Sequence, residues 1–341
     1  MRPGWRTRHA TESRLPKVIS LTEPGSENAW NRLVDPEVHA DPFGCSQAWQ
    51  VTNHQIEGNW LTPLIRMGAN SALVFAAGQA QGLQHLFPLD LGFSACPLLG
   101  ESPVPLLAEY VASRPRNIDA MEITIGGVRQ GSRLEQALLS GLDSPATISV
   151  RSERVLRAAS LEGGLDGYLA RRSSRLWKNL RRESRRAKDN GIQFQRVRPQ
   201  SPSGIRTTFR RMQAIERSSW KADCENAYSI LSKADLYRPL LERMSRSRDV
   251  RIVFAMVDRR DVGFILGGVF GSIYSGMHFS YDQSVAALSI GNLLQLEKIR
   301  WLCQDGIQRY DMGISGGGRI AYKRHWAEIE IPERTFQVSV S

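Results

Sequence analysis

Asp311 and His278 are the side chains whose type and setting best suit proton transfer. Asp311 lies in Tyr310-Asp311-Met312-Gly313, at the end of an expected strand, where a carboxylate can take a proton directly or through water, or can simply satisfy local backbone groups. His278, in Gly276-Met277-His278-Phe279, alternates with Met277 and Phe279 and is expected to point away from both, as a base or as a hydrogen-bonded core histidine. Tyr281 and Tyr322 offer phenolic protons or plain packing surface. Lys323 and Arg324 follow the glycine loop 316–318, where flexible backbone and cations can close over an anion. Trp220-Lys221 ends an expected helix, and Ser289-Ile290-Gly291-Asn292 opens another with small residues in its first turn. Cys224 has no adjacent histidine, which removes the usual partner of a thiol nucleophile.

The strongest electrostatic feature is the run from Leu165 to Asn190. Leu165, Leu169, Leu176, Leu180 and Ala187 step by four and seven, one face of a helix, while Arg171 to Lys188 carries nine cations against Glu183 alone. That is a net +8 out of the chain's +11. Like charges at i and i+4, such as Arg181/Arg185, cost a few tenths of a kcal/mol each. The helix reads either as a solvated face or as a surface for a polyanion: a phosphate-bearing donor, an RNA backbone or an anionic membrane.

Composition sets the frame. With 41% hydrophobic and 23% charged residues, the chain is that of a globular protein of about two domains. No run approaches the roughly 18 apolar residues of a membrane span and the N-terminus has no apolar signal segment, so a cytoplasmic location is the default expectation. Residues 1–15 are expected to be a loose arm. The four cysteines are far apart, and His54 and His85 are isolated, so no disulfide framework and no metal site are expected.

These residues need a scaffold. The first half reads as strand 17–21, two helices around Trp30 and Trp49, strands 61–67, 72–77 and 84–89, a helix 104–113, a strand 121–125, a helix 133–140 and a strand 146–150. Pro88 argues for an edge strand. The second half reads as strand 192–197, helices around Met212 and Leu240, three hairpin strands over 250–281 and a helix around Leu296. A strand 309–312, a short helix 320–326 and a last strand 329–340 follow. The order repeats although the sequences barely match, implying an α/β (α+β) chain with mixed sheets and helices on both faces.

That order resembles the GNAT acyltransferase fold. Local motifs resemble the cellulose-biosynthesis-type acetyltransferases, relatives of the Fem-type aminoacyltransferases: Asp41-Pro-Phe-Gly-Cys-Ser-Gln-Ala-Trp49, Ser174-Arg-Leu-Trp-Lys-Asn-Leu-Arg-Arg182, Glu216-Arg-Ser-Ser-Trp-Lys221, Tyr281-Asp282, Arg309-Tyr-Asp-Met-Gly313 and Tyr322-Lys-Arg-His-Trp326. The resemblance implies tandem GNAT-like domains, a non-catalytic one over 16–155 and a catalytic one over 191–341, joined by a basic helix 156–190. It implies acyl transfer from acetyl-CoA or another acyl-CoA to the amine of a small molecule or amino sugar, without a metal. Asp311 or His278 would then take the amine proton and Tyr281 or Tyr322 would protonate the leaving group. Ser289, Ile290, Gly291, Asn292, Lys323 and Arg324 would hold the donor, and Trp220 and Lys221 would line the acceptor side. The donor run Ala286 to Asn292 departs from the wider fold's pattern by lacking its leading cation. Fem-type relatives, which take aminoacyl-tRNA, tolerate that loss, and Leu/Phe- and arginyl-tRNA-protein transferases end in a similar Met-x-Tyr-Lys-like run. An aminoacyl-tRNA donor, with tRNA or an anionic membrane surface on the helix Arg171–Lys188, and a non-catalytic binding subunit in polysaccharide or natural-product assembly are the alternatives.

Overall fold

Alternating apolar residues and short polar turns dominate the chain, and its described strands join in one sheet. The computed structural model describes residues 17–18, 26–92, 95–142, 146–219, 221, 229–314 and 322–341. The first half runs β1 (Lys17–Val18), α1 (Ser26–Asn31), α2 (Gln47–Glu57), β2 (Thr62–Met67), β3 (Ser71–Ala80), β4 (Leu83–Pro88), β5 (Leu98–Gly100), α3 (Pro103–Ala112), β6 (Ala120–Arg129), α4 (Arg133–Gly141) and β7 (Ala146–Ser160). Then come α5 (Gly164–Ala170), α6 (Ser174–Asp189), β8 (Gln193–Val197), α7 (Pro202–Arg217), α8 (Ala234–Arg246), β9 (Val250–Val257), β10 (Arg260–Phe270) and β11 (Ile273–Tyr281). A 3-10 turn at Gln283–Leu288 leads into α9 (Ile290–Gln304), β12 (Arg309–Ile314), α10 (Lys323–Trp326) and β13 (Ile329–Val340).

Serine hydroxyls start several helices. Ser46, Ser173 and Ser201 accept the N–H of Trp49, Leu176 and Gly204, each satisfying a donor that the first turn leaves free. The expected single basic helix over 156–190 is corrected: residues 156–160 finish strand β7, and Ser173 divides the helical run over 165–190. The chain leaves helix after Ala170 and is recapped at Ser173, so the basic run is two helices, α5 and α6. Pro88 is corrected as well: β4 lies inside the sheet between β3 and β6, and Pro88 is tolerated because it is the strand's last residue.

The strand order is β1-β2-β3-β4-β6-β13-β7-β12-β11-β10-β9-β8, with β5 on β3. Each half contributes antiparallel strands ending in one parallel pair, β4 with β6 and β11 with β12. The halves then exchange strands. The C-terminal strand β13 pairs with β6 of the first half, and β7 pairs with β12 of the second. β13 and β7 themselves run antiparallel from Ile329/Ala158 to Val340/Ala146. Phe336, Val338 and Val340 of β13 are buried with Leu73, Ile123 and Leu138 of the first half. In the second half, α7 and α8 cover one sheet face through Phe209, Met212, Leu240 and Phe264, with Phe43 of the first half in the same cluster. Helices α5, α6 and α9 cover the other face through Tyr168, Leu180, Leu296, Ala187 and Leu294.

Candidate active site

The parallel pair β11/β12 opens partway along. Only Ile273/Arg309, Tyr274/Tyr310 and Ser275/Asp311 are in register. Beyond them β11 stays on β10 up to Tyr281, while β12 stays on β7 through Gly313 and Ile314. The two strands therefore part from Gly276 onward and leave the β12-facing edge of β11 without a strand partner, with the Phe279 carbonyl taken by Lys221. Gly276 suits the branch point, because a Cβ there would lie 2.9 Å from the Tyr310 ring.

At the mouth of this opening lies the start of α9. Ser289 adopts a left-handed φ of 58° and makes no side-chain cap bond, so the N–H groups of the first turn, at Ile290, Gly291 and Asn292, have no cap. Ile290 is buried, Gly291 packs beside Tyr281, where a Cβ would meet the ring at 3.3 Å, and Asn292 is exposed. Asn292 Nδ2 donates to Glu183 Oε2 of α6 at 3.3 Å, which sets the basic helix beside this terminus. Tyr322 packs edge-on against Phe279, ring centroids 5.7 Å apart, and burial pushes its phenol up to about 12. Lys323 Nζ donates to the Ile314 carbonyl at 3.0 Å, and burial brings its ammonium down to about 8. Arg324 is exposed, whereas Trp220, Cys224 and the glycine loop lie outside the described residues.

A β-bulge decides where His278 points. Leu266 pairs with His278 and Gly267 with Gly276, leaving Met277 as the extra residue. Met277 and His278 therefore share the face covered by α7 and α8, and only Phe279 faces α9. This corrects the expected simple alternation. The His278 ring stacks on Phe264 at 5.7 Å and meets Tyr237 at 5.8 Å. Its Nε2 lies 2.7 Å from Glu216 Oε1 and 3.1 Å from Lys221 Nζ, and Lys221 also donates to the Phe279 carbonyl at 2.6 Å. Burial lowers His278, with Glu216 pulling it up and Lys221 pushing it down. Burial brings Lys221 down to about 8, against the pull of Glu216. For Glu216 burial acts upward, but His278 and Lys221 bring the carboxyl below its usual range.

Asp311 is placed differently. Arg309 grips both its oxygens, Nε to Oδ1 at 2.7 Å and a terminal nitrogen to Oδ2 at 2.9 Å, while burial raises its pKa against that pull. Asp41, Asp90 and Glu333 gather nearby. Burial pushes Asp41 up to about 6, with Asp311 adding to the rise, and pushes Asp90 and Glu333 up to about 7. Arg154 pairs with Glu333 at 2.6 Å. The structure thus joins His278 with Lys221 and adds Glu216, and separately joins Asp311 with Arg309. Glu216 stood in a quoted motif, but nothing in its spacing tied it to a histidine 62 residues on. Asp41, Asp90 and Glu333 come from segments with no common spacing.

On α6, Arg175, Lys178, Arg181, Arg182, Arg185, Arg186 and Lys188 are exposed and make no ion pair with the described residues. Arg171 and Arg172 instead hold Glu328. Trp177, Arg181, Ser184 and Arg185 line a groove of about 350 Å³ with Arg300 of α9. Among the described residues no group of side chains has the makings of a metal site, and no helix is long and apolar enough to cross a membrane.

Residues 173–324 match the family model described as Acetyltransferase (GNAT) domain. Among curated proteins, none matches the chain. Similar solved structures include a conserved protein of unknown function from Bacteroides thetaiotaomicron VPI-5482, at 10% identity over 96% of this chain and 99% of that one, TM-score 0.60. FemX is similar at 10% identity over 94% and 96%, TM-score 0.60. The C-terminal domain of a putative lysylphosphatidylglycerol synthetase from Agrobacterium fabrum is similar at 13% identity over 91% and 90%, TM-score 0.54. These likenesses establish the fold, and the matched domain gives the class of reaction. The chain folds as paired GNAT-like halves on one sheet, and it is an acyltransferase.

Proposed function

We propose that this chain transfers an acyl group, acetyl in the simplest case, from a CoA thioester directly to the amine of a small molecule or amino sugar. The observation that supports this most is the parting of β11 from β12 beside the uncapped start of α9. The edge of β11 that β12 leaves from Gly276, apart from the Phe279 carbonyl held by Lys221, suits the amide groups of an extended pantetheine arm. The first-turn N–H groups at Ile290, Gly291 and Asn292, with Ser289, suit a pyrophosphate through hydrogen bonds and the helix dipole. Lys323 and Arg324 add positive charge on the donor side, and Lys221 is assigned to the acceptor side, as is Trp220 from its place in the sequence alone.

The second half, residues 191–341, carries the chemistry in this reading. Residues 16–155 serve as a non-catalytic partner, and 156–190 connect the two. An amine with a pKa of about 10.4 costs roughly 4 to 5 kcal/mol to present neutral at pH 7. His278, kept neutral by burial, takes that proton as the nitrogen bonds to the acyl carbon and the carbon–sulfur bond breaks. Tyr281 or Tyr322 returns a proton to the departing sulfur. Asp311, with both oxygens on Arg309, contributes its charge to this side of the site and is a weaker proton acceptor than His278. The motif resemblance to cellulose-biosynthesis-type acetyltransferases agrees with such a donor.

A second reading, an aminoacyl-tRNA donor, is favoured by the seven exposed cations of α6 and by the missing cation in 286–292. Insertion of α6 into a membrane is disfavoured, since Leu176, Trp177, Leu180 and Ala187 pack inward. Thiol release from acetyl-CoA, scanned over a panel of amines, separates the two donors. Amine-dependent release supports CoA. Its absence, together with tRNA binding whose log affinity falls with log salt at about −0.7 to −0.9 per phosphate, supports tRNA.

A further inference from the structure

We infer that Glu216 is the positioning residue of this site: its carboxylate fixes the proton of His278 on Nε2, so that Nδ1 carries the lone pair that receives the amine proton. The inference rests on the reading of His278 as the base and supplies what that reading lacks, a reason for one ring nitrogen to act. Glu216 closes α7, and His278 meets it only because the bulge at Met277 turns the ring toward that helix. The carboxylate is fully buried and its Oε1 lies 2.7 Å from Nε2. Two groups meet Nε2: a carboxylate, which only accepts, at 2.7 Å and an ammonium, which only donates, at 3.1 Å; the carboxylate contact is the shorter and the ammonium is already committed to the Phe279 carbonyl at 2.6 Å, so Nε2 is assigned as the donor to Glu216. No described residue is bonded to Nδ1.

Lys221 gives this arrangement its balance. Ser219 folds the chain back after α7: its hydroxyl donates to the Glu216 carbonyl at 2.8 Å and accepts the Lys221 N–H at 3.1 Å. The ammonium thereby reaches Nε2 at 3.1 Å and donates to the Phe279 carbonyl. A buried carboxylate alone would draw the ring into the imidazolium form, which cannot take a proton. The charge of an ammonium beside that nitrogen, bonded to the Phe279 carbonyl rather than to the ring, opposes that pull, so the imidazole stays neutral while the orienting bond remains. Among the described residues, the titratable groups facing the ring from the packed elements are Glu216 from α7, Lys221 after it and the Tyr237 phenol from α8. This is the carboxylate–imidazole orientation logic known from hydrolase triads, assembled here from other elements.

The test reads the tautomer directly. Ring nitrogen shifts of His278 in the full-length wild-type protein, assigned by their loss in His278→Asn, are expected to show the proton on Nε2 near pH 7.5. In Glu216→Gln, whose amide can donate as well as accept, the two tautomers are expected to mix. Turnover should fall about tenfold or more with KM changing little, and the acid limb of kcat/KM should move to lower pH, because the lost carboxylate no longer raises the imidazole pKa. In the His278→Asn background the same change should add no further loss. A wild-type proton on Nδ1, or losses that multiply in the double variant, overturns the inference. Full activity of His278→Asn, together with the wild-type proton found on Nε2, overturns the base reading instead and leaves the tautomer assignment standing.

Discussion

At the scale of single residues, chemistry is concentrated where burial and charge oppose each other. If His278 takes the amine proton, His278→Gln should lower turnover by about 10²- to 10⁴-fold while leaving acetyl-CoA binding in place. Steady-state kinetics beside a binding assay separate those effects, and retention of wild-type turnover would remove His278 from the mechanism. Asp311→Asn should cost less, since Arg309 already occupies both oxygens, and its pH profile between 6 and 9 should keep the wild-type shape. Lys323 allows a stability test with a definite sign. Burial brings its folded pKa to about 8, below the roughly 10.4 of an unfolded chain. Between these values the unfolded chain binds more protons, so stability rises with pH across the window, and below pH 8 the burial penalty is fully present. Lys323→Met should therefore gain most over wild type in urea midpoint below pH 8, and that gain should shrink toward pH 10. Residue types were legible in the sequence, since His278, Lys221, Tyr281 and Gly291 all stand by the opening. Partnerships were not. Glu216 and His278 are 62 positions apart, and one extra residue in β11 put the imidazole on the same face as Met277, where simple alternation sets the two apart.

At the scale of elements, periodicity located most strands and helices, and capping chemistry marked their starts. The Asp258-Arg259 hairpin turn was legible because it is short: both residues take positive φ, 49° and 62°, as two-residue connections between twisted strands favour. The break between α5 and α6 was not legible, because the apolar period continues unchanged across Ser173. The cap that makes the break predicts a cost: Ser173→Ala should lose about 1 kcal/mol, visible as a lower thermal midpoint. An unchanged midpoint would mean that packing of Leu176 and Leu180, rather than the hydroxyl, holds the start of α6.

At the scale of the whole molecule, the exchanged strands β7 and β13 bind the halves together more firmly than a linker does. Element order revealed the repeat, but strand exchange leaves no local mark, because β13 has the same alternating pattern whichever sheet it joins. Removing residues 329–341 should therefore expose Ile123 and Phe75 of the distant first half as well as β7. The truncated chain should lose cooperative unfolding in calorimetry, and a sharp wild-type transition would contradict the exchange. The sheet in turn fixes the parting of β11 and β12 on which the proposed donor site depends. Titration calorimetry of acetyl-CoA into the full-length protein at near-physiological salt tests that site most directly. Saturable one-to-one binding, weakened when Gly291→Val crowds Tyr281 at the start of α9, is the predicted result; absence of any binding heat at millimolar acetyl-CoA would contradict it.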